Sequence, residues 1–155
     1  LLVGGYGVPG YWEDPERTRE TFVECYYKTG DLALFDADGN MHYLSRIKDM
    51  IKSGGINVAP AEVEDFLATH PQVREAYVIG VPDPAKGEAL LALIQPVAGS
   101  EPTAEELVAW SKVRIANYKI PQRWVFIAEA DVPRTATGKV NKVELVRRAA
   151  EGELK

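Results

Sequence analysis

The alternation of hydrophobic and polar positions predicts strands in three parts of the chain. Residues 31–46 contain two alternating runs around a turn at 36–40, whose Asp, Gly and Asn residues tolerate the positive φ of a β-hairpin. Two longer apolar runs, at 73–81 and 88–97, are joined by a turn sequence with two Pro and one Gly. A shorter run at 123–128 predicts a third strand beside this second antiparallel pair.

Apolar residues at helical spacing predict three helices. The first covers 60–70, where Pro suits the opening turn. The sequence Thr-x-x-Glu at 103–106 is a capping-box signature, and the apolar face behind it continues to Tyr118. An Asn-x-x-Glu pair at 141–144 opens the last helix. Because helices and antiparallel strands alternate without regular βαβ units, the predicted fold class is α+β.

Composition and charge exclude several partners. The 155 residues carry a formal net charge of −5, and no stretch concentrates Lys and Arg into a basic face, so we expect no nucleic-acid partner. The longest clean apolar run, 89–94, is too short to span a bilayer, so we expect no transmembrane segment. The single cysteine, Cys25, permits no internal disulfide and suits a reducing compartment, which predicts a cytoplasmic protein.

The chain divides most clearly near 46–48, where the alternating hairpin gives way to a charged, Gly-containing connector. Its beginning, Leu1-Leu2-Val3, has the pattern of the middle of a strand and lacks an initiator Met. We therefore interpret the chain as a fragment of a longer protein.

Several short motifs match the residue types of known sites but lack the surrounding structure that those sites need. Gly5, Gly7 and Gly10 satisfy the dinucleotide pattern G-x-G-x-x-G, but a proline interrupts the loop and no packed helix follows, so we interpret them as turn residues. His42 and His70 lie far apart without cysteine partners. We therefore expect no metal site.

Four groups of residues together form a more specific pattern than any one of them. They are Thr29-Gly30-Asp31, then Arg46, then the Gly-containing run 52–58 with Pro60 and Glu62, and PRTATGK at 133–139. In order and spacing they resemble consecutive core motifs of the adenylate-forming superfamily, which includes acyl-CoA synthetases, luciferases and peptide-synthetase adenylation domains. The resemblance covers essentially the whole chain, because residues 4–18 are similar to the superfamily's Gly-Tyr segment near the end of the large domain.

The resemblance implies the fold of the mobile C-terminal AMP-binding enzyme domain. Residues 48–155 would form this lid, a small three-stranded antiparallel sheet packed by helices plus a β-hairpin. Residues 1–47 would be the strand-rich end of the large N-terminal domain. The superfamily's phosphate loop and its magnesium-binding glutamate lie upstream in motif order and have no counterpart here, so we expect the chain alone to be inactive.

For adenylation, the resemblance implies roles for three residues. Asp31 and Arg46 would bind the adenosine half of ATP, because a carboxylate can accept hydrogen bonds from both ribose hydroxyls and a guanidinium donates several. Lys139 matches the adenylation lysine, which approaches the acyl carboxylate and the α-phosphate and is therefore both catalytic and nucleotide-binding. Ser45 departs from the motif, which commonly has Gly or Asp before its arginine.

For thioester formation, the resemblance implies a hinge and a CoA contact. Lys48 aligns with the hinge position, where a change of φ and ψ rotates the small domain between two poses. That rotation would withdraw Lys139 and bring Gly54 and Gly55 beside the pantetheine of CoA, where the absence of side chains permits close backbone approach. Lys52 would assist nearby.

The parent protein implied by these motifs is an AMP-forming acid–thiol ligase that uses ATP, magnesium and CoA, with none of them held tightly by this chain. The sequence at 133–139 is more similar to acyl-CoA synthetases than to peptide-synthetase domains, and a fatty acid is the favoured substrate. An aryl acid of the coumarate or benzoate type is one alternative. A non-catalytic binding module derived from the same scaffold is another.

The remaining partner implied by the resemblance is the missing N-terminal domain of the same protein. Without that domain, residues 1–47 would expose strand edges and apolar side chains such as Tyr11, Trp12 and Phe22. We therefore expect this segment to be flexible or to form a homodimer by strand exchange.

Overall fold

The structure, a computed structural model, describes residues 1–5 and 7–154. The chain forms two compact units, Leu1–Asp49 and Met50–Lys155. The division falls close to the predicted boundary between residues 47 and 48. That the first unit belongs to a larger domain stays a prediction.

The first unit contains a small antiparallel sheet and a short helix. The strands of this sheet are β1 (Leu2–Gly4), β2 (Phe22–Val23) and β3 (Tyr26–Lys28), and β3 lies between the other two. The helix α1 (Pro15–Thr21) precedes β2 and is capped by Asp14, whose carboxylate accepts a hydrogen bond from the N–H of Arg17 at 2.9 Å. This cap and the proline in the first turn explain where the helix begins.

The predicted β-hairpin completes the first unit. Its strands are β4 (Asp31–Phe35) and β5 (Met41–Arg46). Asp36 organises the turn, because its carboxylate accepts the N–H of Asn40 at 2.8 Å and hydrogen-bonds Nε2 of His42 at 2.8 Å. These contacts, with His42 the strongest, lower the pKa of Asp36 to about 2.

A five-stranded sheet forms the centre of the second unit. Its strands are β6 (Ile51–Ser53), β7 (Ile56–Val58), β8 (Val73–Asp83), β9 (Gly87–Pro96) and β10 (Arg123–Phe126). β9 pairs antiparallel with β8 along its length. It also pairs with β10 over 91–94 and with β6 at the single position Gly87.

Helices cover both faces of this sheet, which explains its sequence pattern. The helices are α2 (Pro60–Ala68), α3 (Ala104–Lys112) and α4 (Lys142–Ala150). Even-numbered β9 residues from Leu90 to Ile94 share a core with α2 and α3, whereas odd-numbered residues from Ala89 to Leu93 share a second core with α4. Because both faces are buried, the run 89–94 is continuously apolar instead of alternating.

The α+β class is confirmed, and two details of the sheet differ from the prediction. β10 pairs parallel with β9, because the chain crosses over through α3 before it returns to the sheet. The sheet also has five strands instead of three, because the Gly-containing segment 51–58 folds into β6 and β7 and joins β9.

The helix α3 begins at the predicted capping box but ends at Lys112, well before Tyr118. The N–H groups of Arg114 and Ile115 both donate to the carbonyl of Ser111, at 2.9 and 3.0 Å, and this closes the helix. Tyr118 lies on the separate 3₁₀ turn that follows. The apolar spacing therefore continues beyond the helical backbone.

The surface of the first unit differs from expectation at two aromatic residues. Trp12 is 89% exposed, as expected. Tyr11 and Phe22 are half-buried, because their ring centroids lie 6.3 Å apart and Phe22 also lies 5.3 Å from the ring of Tyr27. Across residues 1–5 and 7–154, no helix is long and apolar enough to cross a membrane.

Candidate functional site

The hairpin of the first unit brings Asp31 and Arg46 together. They are direct cross-strand partners, and Nε of Arg46 lies 3.0 Å from Oδ1 of Asp31. The arginine side chain is 51% exposed and the aspartate side chain 21% exposed, so the pair is open to solvent on one side. Both oxygens of a carboxylate can accept more than one hydrogen bond, and further guanidinium N–H donors remain. The pair can therefore engage a polar ligand without separating.

Short backbone contacts fix the approach to this pair. The hydroxyl of Thr29 accepts the N–H of Asp31 at 3.0 Å, and Gly30 adopts a φ of +76°, which favours glycine. The carbonyl of Gly30 accepts the N–H of Ile47 at 2.8 Å. Ser45 is buried and pairs with Leu32 next to the Asp31–Arg46 pair, and the register shifts between Leu32 and Ala33. The hairpin therefore forms with an irregularity beside this departure from the motif.

Lys48 lies in a 3₁₀ turn, Ile47–Asp49, at the end of the first unit. Its side chain is exposed, and the turn contributes no buried residue. A short terminal element of this kind can change its backbone angles at little cost in packing. The role of Lys48 as a hinge stays a prediction.

Gly54 and Gly55 form the turn between β6 and β7. Their φ values are +58° and +80°, and two successive positive φ values define the tight hairpin turn that only residues such as Gly and Asn adopt easily. A Cβ at either position would meet nothing within 4 Å, so the turn projects into open space. The neighbouring Lys52 side chain is also exposed.

This turn rests on the connection between β8 and β9. The N–H of Gly54 donates to the carbonyl of Lys86 at 2.9 Å, and the N–H of Lys52 donates to Oε2 of Glu88 at 2.6 Å. Both contacts lie within two positions of the bridge between Ser53 and Gly87. The sheet therefore positions the glycine turn through three adjacent links.

Lys139 lies in an exposed loop that closes on itself. The N–H of Thr135 donates to the carbonyl of Lys139 at 2.7 Å, and the N–H of Gly138, whose φ is +81°, donates to the carbonyl of Thr135 at 2.9 Å. Among the described residues of the second unit, the Lys139 ammonium has no hydrogen-bond or ion-pair partner. The loop therefore presents a free cation from a defined backbone.

Arg134 braces this loop from within. Its Nη1 donates to the carbonyl of Gly138 at 3.1 Å, and its positive charge acts on the hydroxyl of Tyr77 on β8. Tyr77 donates its own proton to the carboxylate of Glu75. Burial, followed by the contact with Glu75, raises the pKa of Tyr77 to about 12, so the hydroxyl stays protonated at physiological pH.

The residues that follow the loop are anchored as well. The carboxamide of Asn141 accepts the N–H of Glu144 at 3.1 Å and so caps α4. Lys142 forms an ion pair with Glu64 of α2 at 2.5 Å, and Glu64 also accepts the N–H of Val78 at 2.6 Å. The Lys139 loop is therefore held at both ends, while its tip stays free.

No metal centre is evident in the part of the chain that the structure describes. There, no group of three or more His, Cys, Asp or Glu side chains is arranged to hold an ion. His42 is instead paired with Asp36, and His70 packs edge-on against Trp110 with centroids 5.0 Å apart.

Comparison with known proteins identifies the family. The model of the AMP-binding enzyme C-terminal domain matches residues 62–139, a segment that ends at the free lysine. The chain belongs to this family. The resemblance to the adenylate-forming superfamily is therefore confirmed, and the AMP-binding C-terminal domain contains the second unit's α2, its long strands and the lysine loop.

Two curated relatives of this AMP-binding domain are ligases of different acids. Medium-chain acyl-CoA ligase ACSF2, mitochondrial, of Bos taurus is 44% identical over 147 residues, and feruloyl-CoA synthase of an Amycolatopsis species is 44% identical over 149 residues. The alignments cover 94% and 96% of this chain but only 24% and 30% of those proteins. The chain thus spans less than a third of the length of these relatives.

Solved structures share the fold of this AMP-binding domain. An ATP-bound RpMatB-BxBclM chimera has a TM-score of 0.85 and 33% identity over 92% of this chain and 28% of its own. The o-succinylbenzoate CoA synthetase of Bacillus subtilis, in complex with an acyl-adenylate, has a TM-score of 0.81 and 36% identity over 93% of this chain and 29% of its own.

Several residues that build these sites carry no obvious signal in the sequence of this AMP-binding domain. Glu88 appears there as one more carboxylate at a turn, and Tyr77 as one more aromatic in a strand. Arg134 lies within the motif but has no role that spacing alone could assign. Lys142 and Glu64 are distant in sequence and meet because α2 and α4 both pack against β8.

Proposed function

We propose that the chain is the C-terminal part of an AMP-forming acyl-CoA synthetase. The parent enzyme activates a carboxylic acid with ATP, which gives an acyl-adenylate and pyrophosphate, and then transfers the acyl group to the thiol of CoA with release of AMP. The observation that carries this proposal is the unpartnered Lys139 on a closed loop, at the end of the segment that matches the family. The identity of the ligase relatives supports it.

In the adenylation step, Asp31 and Arg46 hold the adenosine half of ATP. The carboxylate accepts hydrogen bonds from the ribose hydroxyls, and the guanidinium adds a donor toward ribose or phosphate. The cross-strand pairing at 3.0 Å supports this role, because it presents an acceptor and a fixed cation side by side. Magnesium accompanies ATP and is bound by the upstream part of the enzyme.

Lys139 stabilises the negative charge that develops between the acyl carboxylate and the α-phosphate. A preorganised cation at such a position typically contributes a factor of about 10²–10³ in rate. Its closed loop supports this role, because the backbone is fixed before the reaction while the ammonium has no hydrogen-bond or ion-pair partner among the described residues of its unit.

In the thioester step, a rotation at Lys48 removes Lys139 and brings the glycine turn to CoA. The exposed position of Lys48, near the end of the first unit, supports a hinge. The bare turn at Gly54 and Gly55 supports close backbone contact with the pantetheine, and the exposed Lys52 lies beside it.

A fatty acid is the proposed substrate. The medium-chain acyl-CoA ligase relative supports this choice. The feruloyl-CoA synthase relative is equally similar and supports an aryl acid as the second candidate. Both remain open because the acyl pocket of the superfamily lies upstream of these motifs.

The decisive experiment follows the two half-reactions in the full-length protein. Pyrophosphate release is measured with ATP, magnesium and a panel of fatty and aryl acids, and acyl transfer to CoA is measured from the isolated acyl-adenylate. Lys139→Ala should lower pyrophosphate release by about 10²–10³ and leave the transfer step near its original rate. Lys112→Ala, which removes another exposed lysine of the same unit, should change neither.

Three narrower proposals each have a test of their own. The 155-residue chain alone should release no pyrophosphate, and robust turnover would contradict the proposed dependence on upstream parts. Alone, it should also form a homodimer through exposed strands of the first unit, where Leu34 and Phe35 are open to solvent. Light scattering that gives a strict monomer would contradict the dimer.

A cytoplasmic location is proposed from the single cysteine and is tested by microscopy of a tagged full-length protein.

A further inference from the structure

Glu88 completes a strand pairing that the backbone leaves unfinished. β6 and β9 pair at only one position, Ser53 with Gly87. At the next position along β6, the N–H of Lys52 donates to the Glu88 carboxylate at 2.6 Å instead of to a backbone carbonyl. A charge-assisted hydrogen bond of this kind is roughly twice as strong as a neutral one. Glu88 thus extends the attachment of the hairpin that carries Gly54 and Gly55.

The platform under this hairpin is itself rigid. In the turn between β8 and β9, the carboxylate of Asp83 accepts the N–H groups of Ala85 and Lys86, each at 2.9 Å. The carbonyl of Lys86 then accepts the N–H of Gly54 at 2.9 Å. The Gly54–Gly55 turn is therefore attached to the β8–β9 turn, whose own backbone is held by Asp83.

Gly80 on β8 leaves the space in which the carboxylate lies. A Cβ at this position would come within 3.2 Å of Oε1 of Glu88 and within 3.2 Å of Cγ2 of Ile51. These distances are tighter than ordinary van der Waals contact, so any larger residue would displace the carboxylate or β6. Gly80, Glu88 and Lys52 therefore form one packed arrangement behind the glycine turn.

We propose that Glu88 is a positioning residue for the thioester-forming half-reaction and acts through the Gly54–Gly55 turn. The inference rests on the proposed function, in which this turn approaches the pantetheine of CoA. Among the described residues, Glu88 forms no hydrogen bond or ion pair with the Lys139 loop. Its removal therefore affects the transfer step and spares adenylation.

Three variants of the full-length enzyme test this. Glu88→Ala should lower the rate of acyl transfer to CoA by about 10- to 100-fold, the effect of a misplacement on the order of 1 Å, and leave pyrophosphate release within about twofold. Glu88→Gln keeps an oxygen acceptor and should recover most of the lost rate. Gly80→Ala leaves the carboxylate chemically intact but moves it, and should show the same selective loss at smaller size.

Matched controls separate this proposal from the function on which it rests. Glu129→Ala removes another exposed carboxylate of the same unit, paired only with Arg74 at the surface, and should change neither half-reaction. Lys139→Ala, measured in parallel, should lose adenylation. If Lys139→Ala keeps its full adenylation rate, the proposed function fails, whatever the Glu88 variants do.

Two outcomes would overturn the role of Glu88 alone. One is an unchanged transfer rate in both Glu88→Ala and Gly80→Ala while Lys139→Ala behaves as expected. The other is an equal loss in both half-reactions, which would indicate general damage to the fold. If Glu88→Ala does not fold, Glu88→Gln and Gly80→Ala decide between these outcomes and a selective loss.

Discussion

Asp31 and Arg46 face each other directly across the hairpin of the first unit, with Nε of the arginine 3.0 Å from Oδ1 of the aspartate. One residue begins β4 and the other ends β5, so the closed end of the hairpin lies far from them. The strand register keeps these two opposite charges adjacent, because a slip of one strand by one residue would place the two side chains on opposite faces.

Loss of either charge should weaken ATP binding more than it weakens the fold. In the full-length enzyme, Asp31→Ala and Arg46→Ala should each raise the KM for ATP by about 10- to 100-fold, as expected for a lost hydrogen bond to a charged group. The free energy of unfolding should fall by less than about 1 kcal/mol, because a partly exposed ion pair contributes little. Asp38→Ala, in the exposed turn of the same hairpin, is the control for both measurements.

Loss of the contact that braces the lysine loop should impair adenylation selectively. Arg134→Ala removes the donor to the Gly138 carbonyl, and pyrophosphate release should fall by about 10-fold or more, while acyl transfer from the isolated adenylate stays near its original rate. Arg74→Ala, which breaks an exposed ion pair elsewhere on β8, is the matched control. Equal rates for Arg134→Ala and the parent would show that the loop holds its shape without this contact.

Side chains at the glycine turn should destabilise the second unit. Gly54→Ala and Gly55→Ala force a Cβ into a left-handed conformation, which costs about 1–2 kcal/mol per residue, although the space around the turn is open. Denaturant unfolding of the chain measures this cost. Gly54→Asn should cost less, since Asn adopts this conformation more readily. Equal losses for Ala and Asn would contradict a conformational origin.

Protonation of Glu144 should destabilise α4 only as the pH approaches 2. The guanidinium groups of Arg147 and then Arg148 lower the pKa of Glu144 to about 2. A carboxyl group with a lowered folded-state pKa stabilises the fold above its unfolded value, and this contribution disappears as the pH falls toward 2. Carbon-detected NMR of the Glu144 carboxyl should show a midpoint near 2, and Arg147→Ala should raise it. A midpoint near 4 in the parent chain would contradict the ion pairs.

The sequence pattern predicted most elements of this fold because local rules determine them. The capping box at 103–106, the proline that opens α2 and the turn residues at 36–40 all occur at element boundaries in the structure. The direction of β10 and the recruitment of β6 and β7 were not predictable in this way. They depend on which edges of β9 remain unpaired after β8 has packed, and that is a property of the assembled sheet.

The residues of the candidate site likewise fall into those that the local sequence identifies and those that only the assembled fold reveals. The motif residues could be chosen from the sequence because their order is specific, whereas the residues that hold them, such as Glu88 and Tyr77, act across large separations in the chain. Nothing in the local sequence of Glu88 indicates that its carboxylate replaces a backbone acceptor. Packing alone brings it to the N–H of Lys52.

The two exposed tips of the second unit are held by different contacts. The glycine turn is linked to β9, whereas the lysine loop is held by Arg134 and by the residues that cap and anchor α4. A mutation at one tip can therefore damage its chemistry without disturbing the other. Under the proposed function, such independence would allow a duplicated gene to lose transfer to a thiol while it retains the activation of acids, without rebuilding the domain.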